Sequence, residues 1–74
     1  MVVSDLKKGD RAVILRVELS DAVKERLRVL DIRPGAEIVV FRISPFRATY
    51  LLGAGHSKVA IRREIAKKVQ VFRR

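Results

Sequence analysis

The apolar residues of this sequence fall in short runs, each followed within a few residues by glycine, proline or charged residues. Residues 12–15 and 38–41 are typical of these runs. Alternation of apolar and polar residues indicates a strand, whereas apolar residues spaced three and four apart indicate a helix. Because only the stretch after Ser20 keeps helical spacing over several turns, the chain is constrained to a small, mainly β fold.

We expect five short strands, at residues 11–18, 37–43, 48–52, 58–62 and 69–72, with Val69 and Val71 directed inward. The glycines within residues 53–56 predict a tight hairpin connection, and residues 63–67 predict one helical turn. Five short strands in so few residues favour a small closed barrel, because closure leaves few unpaired edges. At 74 residues the chain is too short for two independent cores, so we expect residues 1–74 to form one domain.

One longer helix is predicted after the first strand. Ser20 can accept a hydrogen bond from an unpaired backbone N–H, and Asp21 places negative charge at the positive end of the helix dipole. The apolar stripe of this helix comprises Val23, Leu27 and Leu30. The helix ends before Pro34, which disfavours helical geometry in the preceding residue, and Gly35 permits a turn with positive φ.

Residues that could perform chemistry are sparse. The sequence has no cysteine, which excludes disulfides, thiolate metal sites and thiol nucleophiles. His56 is the only histidine. Because a metal site needs three or four ligands, we assign His56 to a solvent-facing turn and regard it as only a weak candidate for a metal ligand. The carboxylates are scattered, the serines have no partner base, and Gly53-Ala-Gly55 lacks the rest of a phosphate loop. We predict no catalytic residue, no cofactor and no metal site.

Positive charge is concentrated in the second half of the chain. Residues 1–40 have a net charge of +1 and residues 41–74 a net charge of +8. Such a gradient attracts an acidic protein face, anionic lipid headgroups or nucleic acid, although a merely solvated surface fits it equally well. The residues that we expect to contact a partner are Arg47, Lys58, Arg62, Arg63, Lys67, Lys68, Arg73 and Arg74.

Aromatic residues for stacking on bases are few. Alternation leaves Phe46, Tyr50 or Phe72 as candidates for the outside of the barrel, and nucleic-acid binding by a small barrel needs such side chains. No apolar run approaches the roughly 20 residues of a membrane-spanning helix. The N-terminus has no basic region followed by an apolar stretch, so we expect no signal peptide and a cytoplasmic location, with the inner face of the membrane as a peripheral site.

Three segments together resemble the FeoA family of bacterial ferrous iron transport proteins. Residues 6–12 resemble the opening turn and strand of that family. Residues 26–38, with Leu30-Asp31-Ile32-Arg33-Pro34-Gly35 inside them, resemble its helix and Pro-Gly turn, and residues 59–66 resemble its closing strand and helical turn. The resemblance extends from about Asp5 to Val71. It implies an SH3-like β-barrel with a helix inserted after the first strand. The same domain is found at the C-terminus of metal-dependent regulators of the diphtheria-toxin-repressor type.

The resemblance implies a non-enzymatic adaptor that docks on the cytoplasmic part of a FeoB-type membrane transporter. The alternatives are a nucleic-acid-binding small barrel and a metal-responsive regulatory domain, and the oligomeric state, including a homo-oligomer, is left open. Two features depart from the family pattern. Asp31 replaces a glycine at the end of the helix, where we expect a small strain. Residues 46–49 replace the usual Gly-Asp-Pro, which alters a loop that we expect to contact a partner.

Overall fold

The computed structural model describes residues 1–74 as five strands and two helices, preceded by a single 3₁₀ turn at Val3–Asp5. The strands are Arg11–Val17 (β1), Glu37–Ile43 (β2), Thr49–Ala54 (β3), Ser57–Arg62 (β4) and Val69–Arg73 (β5). The helices are Asp21–Val29 (α1) and Arg63–Ala66 (α2), and a second 3₁₀ turn, Pro45–Arg47, separates β2 from β3. The predicted order of strand, helix and four strands is confirmed.

All strand pairs are antiparallel, in the order β4-β3-β2-β1-β5. The fold is the expected SH3-like barrel with a helix after the first strand. The two outermost strands, β4 and β5, are not hydrogen-bonded to each other, so the expectation of full closure is wrong, and the short helix α2 joins them instead. The N-terminus covers the outer edge of β5, where Val2 pairs with Gln70 and the Val71 N–H donates to the Met1 carbonyl at 2.9 Å.

Two β-bulges bend the sheet. One shifts the register of β1 against β5 between Ile14 and Arg16, and the other shifts β2 against β3 between Val40 and Arg42. A bulge opposes two residues of one strand to one residue of its partner, which interrupts simple alternation. In β1, both Leu15 and Arg16 are therefore exposed, Leu15 with 56% of its surface, and Val17 returns to the core.

The core is entirely hydrophobic and lies inside the curved sheet. Strands contribute most of it, and the N-terminal turn, α1 and α2 close its open sides. The buried residues are Val3, Leu6, Ala12, Ile14, Val17, Leu27, Ile32, Ile38, Val40, Tyr50, Leu52, Ala54, Val59, Ile61, Ala66, Val69 and Val71. Val69 and Val71 point inward as predicted. Tyr50, a candidate for the outside, is completely buried, because it shares the inner face of β3 with Leu52 and Ala54.

Helix α1 begins as predicted, with the Val23 N–H donating to Ser20 Oγ at 3.4 Å. The predicted apolar stripe is only partly correct. Leu27 is buried and Val23 packs against the core, but Leu30 is 40% exposed. The helix ends at Val29, so Leu30 already points away from the core and Ile32 is buried in its place.

Asp31 has the left-handed backbone conformation expected at this helix end, with φ of 66°. The Ile32 N–H donates to the Leu27 carbonyl at 2.9 Å and the Asp31 N–H to the Arg28 carbonyl at 3.0 Å. These two bonds form a Schellman motif, whose hydrophobic contact is supplied by the buried pair Leu27 and Ile32. The Asp31 carboxylate accepts a hydrogen bond from Arg33 Nη1 at 2.9 Å.

Replacing Asp31 by glycine is expected to raise the free energy of unfolding by about 0.5–1 kcal/mol, because glycine adopts positive φ without a Cβ clash. The lost ion pair with Arg33 offsets little of this gain, since both side chains are about half exposed. Urea denaturation followed by circular dichroism measures the change. Arg33→Gln, which removes the ion pair but keeps the backbone, is the control. A less stable Asp31→Gly variant contradicts the assignment of strain to Asp31.

The connection between β3 and β4 is shorter than predicted. β3 continues through Ala54, whose side chain is buried, and only Gly55 and His56 form the turn. Gly53 is therefore a strand residue, paired with Val39 on one side and Lys58 on the other.

Candidate docking surface

The strand register places a set of basic and apolar side chains together on the outside of the barrel. Leu51 lies opposite Ala60, Thr49 opposite Arg62, and Gly53 opposite Lys58. Residues opposite each other in an antiparallel pair project from the same face. We call this surface the basic–aromatic face; it comprises the basic residues Arg11, Arg42, Lys58 and Arg62 and the apolar residues Val39, Phe41, Leu51 and Ala60.

Phe41 lies flat against the backbone of β3 at the centre of this face. A Cβ atom at Gly53 would lie 2.5 Å from Phe41 Cε2 and 2.9 Å from Val39 Cγ1, so only glycine leaves room for the ring. Lys58 Nζ lies 5.4 Å from the centroid of the ring, within range of a cation–π interaction. The ring is 42% exposed, so it is held in place yet can be contacted from outside.

A shallow pocket of about 270 Å³ opens beside the ring, lined among others by Arg11, Phe41, Lys58 and His56. Glu37 lies at its border and is paired with Arg74 Nε at 3.0 Å. No ion pair involves Arg11 or Lys58, so their charge is uncompensated. The pocket has the size and charge to accept a carboxylate side chain from a partner.

The turn between β2 and β3 projects from one end of the basic–aromatic face. The Thr49 N–H donates to Ser44 Oγ at 2.8 Å, and Arg63 Nη1 donates to the Phe46 carbonyl at 3.3 Å. Phe46 is 93% exposed. Both Phe46 and Arg47 have positive φ, 61° and 55°. The altered loop noted in the sequence is thus a tight, strained turn that displays an aromatic ring.

The structure does not bring the predicted contact residues onto one surface. Lys58 and Arg62 lie on the basic–aromatic face and Arg47 lies in the projecting turn, whereas Arg63 begins α2 and Lys67 and Lys68 follow it. Arg73 and Arg74 lie at the end of β5, where they pair with Asp10 at 3.9 Å and with Glu37 at 3.0 Å. Pairing with carboxylates reduces their attraction for a partner, so Arg73 and Arg74 are the weakest candidates.

No local pattern singles out Arg11, Phe41 or Arg42 as contact residues. Arg11 reaches the face because β1 pairs with β2 and Arg11 lies opposite Val39. Phe41 reaches it by alternation with Val39, and Arg42 reaches it through the bulge in β2. The signal that could have found Phe41 is Gly53, since a glycine inside a strand often marks a close approach by a neighbouring group.

His56 is exposed in the β3–β4 turn, as predicted. No three or more His, Cys, Asp or Glu side chains lie close enough together to hold a metal ion. Neither α1 nor α2 has the length and apolar composition needed to cross a membrane.

The sequence model of the FeoA domain family matches residues 1–73. A curated relative from Porphyromonas gingivalis, the Fe(2+) transport protein A/Fe(2+) transporter FeoB fusion protein, is 34% identical over 71 residues. That alignment includes 96% of this chain but only 8% of the length of the fusion protein. The similarity therefore concerns one small part of a much larger polypeptide.

Solved structures agree with this match. The FeoA protein of Chlorobium tepidum is 32% identical, with a TM-score of 0.90 over 96% of this chain and 68% of its own. The zinc complex of Stenotrophomonas maltophilia FeoA, described as an SH3 domain protein possibly acting as a ferrous iron transport activating factor, is 30% identical, with a TM-score of 0.82 over 97% of this chain and 89% of its own. The metal-dependent transcriptional regulator MtsR, at 20% identity and a TM-score of 0.82 over 96% of this chain and 35% of its own, shares the fold.

Proposed function

Because the chain belongs to the FeoA family, whose members take part in ferrous iron transport, we propose that it is a non-enzymatic adaptor that docks on the cytoplasmic part of a FeoB-type transporter. Docking changes the activity of the transporter only if the adaptor binds one of its states more tightly than another. The adaptor therefore acts by shifting the balance between transporter conformations, and it works in the cytoplasm.

The observation that carries this proposal is the Porphyromonas gingivalis protein, in which a related stretch is joined to FeoB in one polypeptide. When two binding partners are joined by a linker, their binding becomes intramolecular, and each partner is present at a high effective concentration near the other. Joined or separate, a domain of this family that docks on its transporter needs an exposed contact surface.

The basic–aromatic face supplies such a surface. Its centre is apolar and half-buried, and its charged groups are positive except for Glu37 at the pocket, which is paired with Arg74; this arrangement suits an acidic patch around an apolar contact. Nucleic acid fits this face less well, because stacking needs an open aromatic surface and Lys58 already lies over the Phe41 ring. We therefore propose a protein partner for this face.

The proposal predicts that the chain binds the soluble cytoplasmic region of its cognate FeoB-type transporter at physiological salt, and more tightly at low salt. Isothermal titration calorimetry at two salt concentrations measures this. Duplex and single-stranded DNA serve as competitors. Absence of binding to the transporter region at both salt concentrations contradicts the proposal, and tight DNA binding with a steep salt dependence favours the nucleic-acid alternative.

A further inference from the structure

The Phe46 side chain is the most exposed large apolar group of the chain, at 93%. The backbone conformation that exposes this ring is unfavourable, because Phe46 and Arg47 have consecutive positive φ values of 61° and 55°. Residues with a Cβ rarely adopt this conformation, and a bulky residue there is an outlier. Outliers of this kind are found preferentially at sites that contact ligands. We therefore expect the exposed Phe46 ring to contact a ligand.

Three arginines lie at or next to this turn. Arg47 follows it in the chain, and Arg63 donates to its carbonyl oxygen at 3.3 Å. Arg62 lies opposite Thr49, at the base of the same turn. None of these three arginines forms an ion pair with a carboxylate. The turn is therefore a convex, positively charged projection that ends in one aromatic ring; we call Phe46, Arg47 and Arg63 the basic tip, which borders the basic–aromatic face at Arg62.

We propose that the basic tip binds the surface of an anionic phospholipid bilayer, with the Phe46 ring inserted at the level of the headgroups. Phenylalanine is among the side chains that bury at the boundary between headgroups and acyl chains, and clustered arginines are attracted to anionic headgroups. A convex tip suits a bilayer better than a folded protein, because a deformable surface accommodates one projecting ring without a matching cavity. This contact is intrinsic to the chain and does not depend on docking to a transporter.

The two contacts can be made at once. The basic tip lies at the Thr49 end of β3 and the pocket beside Phe41 lies near Gly53, about 13 Å apart along the strand. When the basic tip contacts the bilayer, the basic–aromatic face therefore remains accessible to a protein partner beside the chain. One aromatic ring and a few arginines give weak, reversible binding, which suits a chain that must also exchange between partners.

The test uses the full chain and vesicles of phosphatidylcholine with or without phosphatidylglycerol. Phe46→Trp creates the only tryptophan of the chain, since the natural sequence has none. We expect its fluorescence to shift to the blue with anionic vesicles and to remain unchanged with pure phosphatidylcholine. In co-sedimentation, Phe46→Ala is expected to weaken binding about tenfold, and Arg47→Gln about fivefold.

Phe72→Ala is the matched control, because Phe72 is also an exposed phenylalanine, at 65%, but lies on β5 away from the turn. We expect it to bind vesicles as the natural chain does. Absence of binding to anionic vesicles, or an equal loss in Phe46→Ala and Phe72→Ala, overturns the proposal. If Phe46→Ala weakens binding to the transporter region while no variant binds vesicles, the tip contacts protein instead and the lipid assignment is wrong. Vesicle binding without transporter binding contradicts only the adaptor function.

Discussion

Replacing Tyr50 by alanine is expected to lower the free energy of unfolding by about 3–5 kcal/mol, because it removes a fully buried aromatic side chain and leaves a cavity. Tyr50 has no exposed surface, and its hydroxyl donates to the Ser4 carbonyl at 3.1 Å. That bond joins β3 to the N-terminal 3₁₀ turn. Since small domains have a total stability at the lower end of about 5–15 kcal/mol, Tyr50→Ala removes most of it.

Urea denaturation followed by far-ultraviolet circular dichroism measures this loss. Tyr50→Phe is the matched control, because it keeps the ring and removes only the hydroxyl that satisfies the Ser4 carbonyl. We expect the control to cost about 1–2 kcal/mol. If Tyr50→Ala costs no more than Tyr50→Phe, then the ring does not fill the core as described.

Tyr50 also shows where sequence reasoning fails. Its alternation with Leu52 is visible in the sequence, but alternation alone does not say which face is inward. Two features decide the answer: the packing of Leu52 and Ala54 into the core, which fixes the inner face of β3, and the 3₁₀ turn at Val3–Asp5, which supplies the acceptor for the hydroxyl. Both depend on contacts between distant parts of the chain, so no local pattern predicts them.

Local signals, in contrast, were sufficient for most of the fold. Ser20 caps α1 as expected, and β2 has the predicted bounds of residues 37–43. The left-handed conformation of Asp31 follows from its place after a helix and before a Pro-Gly turn. These features depend on neighbouring residues alone, and the family pattern supplied the topology.

The sequence predicts that the candidate docking surface is basic, but it does not predict which residues lie together on it. The excess of positive charge after residue 40 is evident in the sequence. Which cations act together is decided by strand register, which connects Arg11 on β1 to Lys58 on β4 through β2 and β3, and by the ion pair of Arg74 with Glu37. Register therefore had to be known before the basic–aromatic face could be defined.

Reversing the charge of both Arg11 and Lys58 is expected to weaken binding to the transporter's cytoplasmic region about 100-fold at low salt. Both side chains are exposed and border the pocket beside Phe41. Glutamate at both positions repels an acidic patch instead of attracting it. Because exposed charges are screened by salt, the difference between the variant and the natural chain should become smaller as ionic strength rises.

Calorimetric titration of Arg11→Glu/Lys58→Glu against the natural chain measures the effect. Lys7→Glu/Lys24→Glu is the matched control, since it changes the net charge equally at exposed positions outside the basic–aromatic face. An equal loss in both variants means that net charge alone drives the association. A loss confined to Arg11→Glu/Lys58→Glu, with vesicle binding through Phe46 unchanged, assigns transporter docking to the basic–aromatic face and separates it from the bilayer contact of the basic tip.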